Sequence, residues 1–513
     1  MPLYWGDLHN HCGISYGYGS LQNALVAAQG QLDFCSVTGH ATWHDMPARR
    51  PGTEFLVDFH RRGFEKLAAH WDEVRATIEA ANRSGEFVTL HSYEAHSSKY
   101  GDRHILSPSP DLPIVEADSP AEVIAALASQ ASGPIPAIAV PHHIAYPSGY
   151  RGIRWPSYDE GVGPNAISPI VEVYSKHGCG MRDVGPYPYL HTMGPREWRN
   201  SADAGLHMGY HFGFVASTDH HAGYPGSYGD GRLAVLADAL TREALWEALL
   251  ARRTYAVTGD KIACEFSVNG EPFGARIVAP GRRRIKLRVS AWDAIDKIVV
   301  YKNRRPWRVL CGEDLPTPAA PWRYITRIEM GWGRSPAPFA WEGRLSLRDG
   351  QVLAVETAFR GRSILAPSEG KDEDPDANAL DNRLLERTDT SVAWRAETVA
   401  NVSTLHPSTA AIMLEIRGNR ATRLDLEVNG HHQKATLGAM GAGNQVTFLQ
   451  DYASEAFVLH RAVPEAHYRL AREWIDTEPE WPEDIYHVEI AQRNGQWAWI
   501  TPVYVRQKPA PDE

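Results

Sequence analysis

The chain has 513 residues and a formal net charge of −10 with histidine counted as neutral. At roughly 100–200 residues per domain, this length predicts two to four domains. An apolar fraction of 43% with 22% charged residues excludes a disordered or collagen-like chain. The acidic balance also disfavours broad contact with nucleic-acid phosphates. Of the 23 histidines, 17 precede residue 261, so histidine chemistry is concentrated in the first half of the chain.

The N-terminus and the cysteines bear on the compartment. The opening MPLYWGDLHNH has no basic region followed by an apolar run, and no window approaches 18 consecutive apolar residues. We therefore expect neither a secretory signal nor a membrane span. The five cysteines lack CxxC spacing, which favours reduced thiols and a cytoplasmic location. They are Cys12, Cys35, Cys179, Cys264 and Cys311.

In the first half, short apolar runs alternate with stretches of helical periodicity. Helices are predicted over 60–82, over 120–130 behind a capping box at Ser119, and over 242–253 behind Thr241. Strands that alternate with helices favour parallel pairing through crossover helices. Long loops over 41–59, 96–118 and 144–168 are candidates for function. The predicted buried strands are 34–38, 87–90, 137–140, 170–174, 212–217 and 233–236.

After about residue 262 the pattern changes to period-two alternation, as in 285–290, 297–301, 352–358 and 424–428. Asn-Gly pairs at 269–270, 429–430 and 494–495 are typical of hairpin turns. These features predict a mainly antiparallel, sandwich-like β domain over 262–513, after an α/β domain over 1–261. One late helix is expected over 464–475, and the charged run 369–376 is interpreted as a solvated loop.

Side chains that bind metals follow the predicted strands of the first half again and again. The carboxyl ends of parallel strands open onto one face, so these side chains are expected to converge. His9 and His11 would share a face of a strand, and carboxylates such as Glu94 and Asp219 would complete a site for Zn²⁺, Mn²⁺ or Fe²⁺. Any one of these histidines could be structural, but six strand ends favour a metal site. The strand-end groups are His9 and His11, His40, His91 with Glu94 and His96, His142 and His143, His177, and Asp219 with His220 and His221. His60 and His70 fall on a predicted helix and are assigned to packing or to the surface.

This set of motifs resembles the polymerase and histidinol phosphatase (PHP) superfamily of metallohydrolases. The residues that carry the resemblance are His9-x-His11, Thr38-x-His40, Glu94, His142 and the segment 217–221. The chain looks like the PHP-type proteins with a β-rich C-terminal extension, loosely similar to carbaryl-type carbamate hydrolases. The resemblance covers about residues 1–260 and implies a distorted (β/α)7 barrel with two or three divalent ions at its mouth.

The resemblance also implies a ligand set. His9, His11, Glu94 and Asp219 would hold the first ion. Glu94, His142 and His177 would hold the second, with His143 as an alternative to His142. His40 and His221 would lie on the third position.

Two departures from the family pattern concern the third position. The usual Ser-Asp-Gly reads Ser15-Tyr16-Gly17, and the usual Thr-Asp-His reads Thr38-Gly39-His40. Because a third-ion carboxylate is missing, we expect two divalent ions (Zn, Mn or Fe), with the third position empty or weak. Tyr16 would then contact substrate or serve as an unusual ligand. His40 and His221 would position substrate or move protons.

The expected reaction is hydrolysis by a hydroxide that two metal ions activate. No Gly-x-Ser-x-Gly, Walker or dinucleotide motif is present. Aromatic residues near the predicted ligands favour a carboxyl-ester, carbamate or amide bond in a small substrate. They are Trp5, Tyr16, Tyr18, Trp43, Tyr146, Tyr150, Trp155 and Tyr224.

Phosphoester hydrolysis at the same site is the alternative, and a non-catalytic binding protein is a second one. The candidate substrate-binding residues are Arg103, His104, His143, Arg151 and Arg182. A small-molecule partner is expected, without nucleic acid or membrane. The β-rich half could cover the site, mediate homo-oligomerisation or bind a glycan.

Overall fold

The computed structural model describes residues 1–155, 167–186, 193–279, 281–312, 322–362, 375–376, 378–400, 408–451 and 454–507. No helix within these ranges is long and apolar enough to cross a membrane. The run 369–376, predicted to be a loop, lies outside the described residues apart from 375–376.

The described part of the N-terminal half contains twelve short strands and five α-helices. Its strands are β1 (Leu3–Asp7), β2 (Phe34–Cys35), β3 (Gly39–Trp43), β4 (Val88–Thr89), β5 (His91–His96), β6 (Arg103–Ser107), β7 (Ile138–Pro141), β8 (Ile170–Ser175), β9 (Gly178–Cys179), β10 (Gly213–Ala216), β11 (Arg232–Leu236) and β12 (Thr254–Val257). Its helices are α1 (Leu21–Gln29), α2 (Glu54–Ala81), α3 (Pro120–Ala128), α4 (Ala202–His207) and α5 (Arg242–Leu250), with a 3-10 turn at Trp198–Asn200.

The predicted helix starts are confirmed by their caps. The Ser119 side chain accepts a hydrogen bond from the Glu122 N–H, and Thr241 accepts one from the Ala244 N–H. Helix α2 begins at Glu54, before the predicted residue 60, because Val57 and Phe59 are also buried on its inner face. The predicted helices therefore form, and one is longer than expected.

The strands of the N-terminal half divide into sheets of mixed direction. The pairs β1–β2, β2–β4, β3–β5 and β8–β10 are parallel, whereas β5–β6, β6–β7, β1–β11 and β11–β12 are antiparallel. Exclusively parallel pairing is therefore wrong for this half. The physical reason is clear at β5–β6, where residues 97–102 are too short a connection for a parallel crossover. The described strands do not show a closed (β/α)7 barrel.

The C-terminal half is built almost entirely from strands. They are β13 (Ala263–Val268), β14 (Glu271–Pro272), β15 (Arg276–Ala279), β16 (Arg283–Ser290), β17 (Ile295–Lys302), β18 (Arg305–Cys311), β19 (Arg323–Gly331), β20 (Phe339–Arg348), β21 (Gln351–Ala358), β22 (Arg383–Arg387), β23 (Ser391–Thr398), β24 (Thr409–Arg417), β25 (Arg423–Val428), β26 (His431–Thr436), β27 (Gln445–Phe448), β28 (Ala456–Leu459), β29 (Val463–Pro464), β30 (Arg469–Asp476), β31 (Glu483–Gln492) and β32 (Trp497–Gln507). In the same described ranges, two short helices accompany them, α6 (Leu437–Met440) and α7 (Glu465–Tyr468).

The β-rich character predicted for this half is consistent with the structure. Both Asn269–Gly270 and Asn429–Gly430 have positive φ angles, as type I′ hairpin turns require. The helix predicted over 464–475 is wrong beyond Tyr468. Strand β30 replaces it, because this segment pairs along its whole length with β16 and alternates buried with more exposed side chains.

Two layers of sheet enclose the main cores of this half. Apolar side chains of β19, β24 and β28 pack against those of β20, β23 and β25. Those of β13 and β16 pack against β17, β31 and β32. The sheet that contains β31 and β32 continues through β12 into β11 and β1, so it crosses the domain boundary predicted at residue 261. That boundary stays a prediction.

Candidate metal centre

Strand ends of the N-terminal half bring nine buried histidines and several carboxylates into one cluster. His9 and His11 follow β1, and Asp219 follows β10. The Asp7 carboxylate, which is fully buried, accepts hydrogen bonds from the backbone N–H groups of His9, Thr218 and Gly226. Asp7 therefore holds the segment after β1 against the segment after β10.

The tightest group contains four donor atoms. His11 Nε2 lies 3.2 Å from His9 Nε2, 3.1 Å from Asp219 Oδ1 and 3.3 Å from Glu94 Oε2. His9 Nε2 lies 3.5 Å from the same Glu94 oxygen and 3.6 Å from the same Asp219 oxygen. Ligand atoms about 2.0–2.2 Å from one tetrahedral ion lie roughly 3.3–3.6 Å from one another. These four residues are the set expected for the first ion, and their spacing fits a divalent cation.

The surroundings of Glu94 support this fit. Its Oε2 atom is buried and accepts no hydrogen bond of good geometry within the described residues. Imidazole nitrogens of His40, His11 and His9 nevertheless lie 3.0, 3.3 and 3.5 Å from it. A buried carboxylate oxygen is rarely left without a partner, so this position suits a cation bound by neutral imidazoles.

A second group adjoins the first through the other oxygen of each carboxylate. His142 Nε2 lies 3.1 Å from Glu94 Oε1. His143 Nε2 and His177 Nε2 lie 2.9 and 3.4 Å from Asp219 Oδ2. Both His142 and His143 therefore face the cluster, so the choice between them as a ligand stays a prediction.

The residues predicted for the third position also lie in the cluster. Donor atoms of His11, His40 and His221 lie within 4.8 Å of one another. The Tyr16 ring stacks on the His40 ring with centroids 3.6 Å apart. Tyr16 thus contacts a predicted ligand and lies at the edge of the cluster.

Sequence reasoning assigned four residues of the cluster to no ligand position and to no substrate contact, although it named His96 among the strand-end groups. His96 and Asp102 approach each other, with 3.4 Å between Nδ1 and Oδ2. Glu172 lies 3.0 Å from His9 Nδ1, and His60 lies 3.3 Å from Arg151. An acidic residue inside the otherwise apolar run 170–174 was a signal that could have identified Glu172. The helical spacing of apolar residues in α2 concealed the place of His60 in the cluster, because a buried histidine on a helix resembles a core residue.

The candidate substrate-binding residues separate into two groups. Arg151 faces the cluster, with Nε 3.6 Å from Asp102 Oδ2 and its guanidinium 5.2 Å from the Trp43 ring centroid. His104 packs between His9 and His142, at 5.0 and 5.7 Å between ring centroids. By contrast, the Arg103 guanidinium donates to backbone carbonyls of residues 100 and 101, and Arg182 pairs with Glu489 of β31. The substrate roles of all these residues stay predictions.

Three of the eight aromatic residues predicted near the ligands belong to hydrophobic cores. Trp5, Trp155 and Tyr224 are each buried in a different core cluster. Tyr16 and Trp43 do adjoin the imidazoles, since Trp43 lies 5.4 Å from His96 between ring centroids. Tyr146 lies 6.0 Å from His143 between ring centroids, so three of the predicted aromatic residues adjoin the cluster.

Burial and the four carboxylates set the pKa values in the cluster. Burial lowers the pKa of His142 and of His177 to about 3. Burial also opposes the charge on His143, but hydrogen bonds to Asp102 and Asp219 outweigh it and raise its pKa to about 9. Burial raises the pKa of Glu172 to about 7. Although burial raises the pKa of Glu94, the neighbouring His96 and His40 hold it well below its usual range.

Three residues of the site adopt left-handed backbone conformations. The φ angles of His143, Arg151 and Asp219 are 52°, 64° and 49°. Such angles are uncommon for residues other than glycine and cluster at functional sites. The local backbone is therefore held in this conformation by its surroundings.

The cluster is least buried at three of its histidines. His143, His177 and His221 are 9%, 6% and 7% exposed, whereas His9 and His11 are fully buried. His143 and His177 of the second group therefore lie closer to solvent than the first group does, and this less buried margin is called the opening of the cluster.

Comparison with known proteins gives distant likenesses. No protein-family model matches the chain. Three curated relatives, named as uncharacterized proteins of Chlamydia muridarum, Chlamydia trachomatis and Chlamydia pneumoniae, are 28%, 28% and 27% identical over 151 residues. The match covers 26% of this chain and 24% of each relative, so the chain spans about a quarter of the length of the curated relatives it matches.

Two solved structures are also similar. One is a two-domain protein of Bacteroides vulgatus that contains a predicted PHP-like metal-dependent phosphoesterase, with 16% identity, a TM-score of 0.33, and coverage of 58% of this chain and 79% of that chain. The other is the lesion-specific endonuclease EndoQ of Pyrococcus furiosus, with 12% identity, a TM-score of 0.29, and coverage of 48% of this chain and 56% of that chain. Likenesses at these scores decide neither the fold nor the function. A functional proposal therefore rests on the geometry of the site.

Proposed function

We propose that the protein is a metal-dependent hydrolase of small anionic substrates, with phosphomonoesters as the best-supported class. The observation that supports the proposal is the buried four-donor group of His9, His11, Glu94 and Asp219, in which the two imidazole nitrogens lie 3.2 Å apart and 3.1–3.6 Å from one oxygen of each carboxylate. A second ion would be held by Glu94, Asp219, His177 and either His142 or His143. Bound divalent ions supply an activated water and stabilise charge on the leaving oxygen.

The chain's own residues favour an anionic substrate. Arg151 lies at the margin of the cluster, where a guanidinium can bind a phosphate through two parallel hydrogen bonds. Asp102 approaches both Arg151 Nε and His143 Nδ1, at 3.6 and 3.4 Å, and so orients two groups near the opening. The small exposed fractions of the residues at this opening favour a small substrate over a polymer.

Hydrolysis of a carboxyl-ester, carbamate or amide bond is the second candidate. It is supported by Tyr16 and Trp43, whose rings contact His40 and His96. An apolar acyl or aryl group could pack on these rings. This candidate requires no anion contact at Arg151.

A parallel screen of four substrates tests the proposal. The protein loaded with Mn²⁺ or Zn²⁺ is assayed with p-nitrophenyl phosphate, bis(p-nitrophenyl) phosphate, p-nitrophenyl acetate and a p-nitrophenyl carbamate. We expect turnover of the phosphomonoester. Turnover confined to the acetate and the carbamate would overturn the substrate class and favour the second candidate. Retained metal with no turnover of any substrate would favour a binding protein.

Replacing the shared ligand gives the first prediction. Glu94→Gln is expected to reduce kcat/KM by more than about 100-fold and to lower the metal content, since changes outside the ligand shell already cost about 10–100-fold. His487→Gln is a matched control, because His487 is equally buried but lies on β31 in the C-terminal half. Equal losses in both variants, measured by metal analysis and initial rates, would contradict the assignment.

Replacing Arg151 gives the second prediction. Arg151→Ala is expected to raise KM for the phosphomonoester at least about tenfold, because one charge-assisted contact contributes about 1.5–3 kcal/mol. The KM for p-nitrophenyl acetate should not change. A similar change for both substrates would indicate a structural role for Arg151 and remove the support for an anionic substrate.

A further inference from the structure

Three potential metal ligands, His40, Glu94 and His96, converge beside Tyr16. His40 Nδ1 lies 3.0 Å from Glu94 Oε2 and 3.2 Å from His96 Nε2. Donor atoms of these three residues all lie within 4.8 Å of one another. All three side chains are buried, and His40 Nε2 makes no hydrogen bond within the described residues. The arrangement is that of a compact N,N,O donor set.

The orientation of His96 suits a metal ligand. Its Nδ1 atom lies 3.4 Å from Asp102 Oδ2 and 3.3 Å from Glu94 Oε1, although it makes no hydrogen bond of good geometry within the described residues. The Nε2 atom lies on the other side of the ring and faces His40 Nδ1 at 3.2 Å. A carboxylate behind the distal nitrogen of an imidazole is the usual way in which proteins orient a histidine ligand.

Tyr16 fixes the other imidazole. Its ring stacks on His40 at 3.6 Å between centroids and 9° between planes, and the His96 ring lies parallel to His40 at 5.3 Å. The Tyr16 hydroxyl lies 3.4 Å from His96 Nε2. Tyr16 stands where the family that the chain resembles has an aspartate. It therefore packs against the donor set and leaves room for His96.

We propose that His40, Glu94 and His96 form a third divalent-cation position, in which His96 from the neighbouring strand replaces the carboxylate missing at residue 16. The position rests on the proposed function, because it shares Glu94 with the first group. Strands β3 and β5 are paired, with His40 opposite Glu94, and this register brings His96 to His40. Two imidazoles and one carboxylate favour Zn²⁺ or Fe²⁺ over Mg²⁺ or Ca²⁺.

Position-resolved metal binding tests the proposal. Crystals grown with Zn²⁺ are measured at the zinc absorption edge, and zinc per chain is determined after gel filtration. We expect an anomalous peak between His40 and His96 in addition to those of the first and second groups. His96→Leu should lose that peak alone and one zinc per chain, whereas the His487→Gln control should lose none. No peak at His40 in the parent protein, or a peak that survives His96→Leu, would overturn the proposal.

A milder variant covers the case in which His96→Leu does not fold. Asp102→Asn keeps the shape of the side chain but loosens its hold on the His96 ring. We expect the affinity of the third zinc equivalent, measured by calorimetric titration, to fall about 10–100-fold. An unchanged third equivalent would overturn the role given to His96. The two proposals can fail separately. Three anomalous peaks without hydrolysis would refute only the proposed function. Hydrolysis with only two anomalous peaks would refute only the third position.

Discussion

At the scale of the residue, Asp7 contributes to the site without being one of the candidate metal ligands. Both of its oxygens act as acceptors: Oδ1 for the N–H groups of His9 and Thr218, and Oδ2 for the Thr218 hydroxyl and the Gly226 N–H. A fully buried carboxylate with four donors around it sets the distance between two ligand-bearing segments. Its replacement should therefore disturb both stability and metal binding.

Asp7→Asn is predicted to destabilise the protein. The amide NH₂ would face donors that need an acceptor, which costs about 1–3 kcal/mol for each buried group left unsatisfied. We expect a lower melting temperature in the metal-free protein and weaker zinc binding at the first group. Differential scanning calorimetry with and without Zn²⁺ measures both. A variant with normal stability and normal zinc affinity would show that Asp7 does not align the segments.

The sequence predicted many of the residues that the structure brings together, but not the residues that orient them. The sequence identified His9, His11, Glu94 and Asp219 because each of them follows a short apolar run that predicts a buried strand. Asp102 could not, because it lies in a connection between β5 and β6 with no apolar pattern around it. Its position depends on a hairpin that brings it back beside His96. Such tertiary placement is not encoded in local spacing.

At the scale of the element, β5 shows why a strand of the site was missed. Its sequence HSYEAH contains few of the apolar residues that mark a buried strand, yet all but one of its residues are buried. The strand exists because its polar side chains find partners in the cluster and its backbone pairs with β3 and β6. Apolar strands such as β7, β8 and β10 were predicted to within one or two residues, because burial of apolar side chains decides their position.

A pH-dependent contribution to stability is predicted at the pairing of β19 with β24. Glu329 accepts a hydrogen bond from the Thr409 hydroxyl at 2.5 Å and lies 2.9 Å from His460 Nε2. Although burial raises the pKa of Glu329, His460, Arg327 and Thr409 lower it to about 2. Because this value lies below the unfolded value of about 4.3, the carboxylate stabilises the fold fully above pH about 4.3 and progressively less as the pH falls towards 2.

Glu329→Gln is therefore expected to lower the free energy of unfolding by roughly 1–3 kcal/mol at pH 7 and by about half as much near pH 3. Urea titrations at the two pH values measure the difference. Glu342→Gln, at an exposed position on β20, serves as the control. A penalty that is as large at pH 3 as at pH 7 would contradict the assigned pKa.

At the scale of the whole molecule, the two halves share a sheet and a core. Thr501 of β32 accepts a hydrogen bond from the Phe214 N–H, and the Tyr504 hydroxyl donates to the Phe212 carbonyl. Trp499 is buried in the same core cluster as Phe214 of β10. Strand β10 leads directly into Asp219, a predicted ligand. Strand β32 therefore supports the strand that presents this ligand.

This arrangement predicts that residues 1–261 do not fold independently. A chain that ends at residue 261 lacks β32, one of the two strands that pair with β12, and the side chains that cover β10. We expect it to show no cooperative thermal transition and to retain no zinc, and we expect co-expression with 262–513 to restore both. A truncated chain with a sharp transition and bound zinc would instead establish residue 261 as the boundary of an autonomous domain.

The left-handed backbone at His143, Arg151 and Asp219 has a consequence for how the protein can change. Glycine adopts such angles without steric cost, so a glycine at any of these positions would relieve local strain by up to about 1 kcal/mol. The same change would delete an imidazole, a guanidinium or a carboxylate from the cluster. At these positions selection for robustness and selection for chemistry act in opposite directions, so a search for thermostable variants would tend to accumulate substitutions that empty the site.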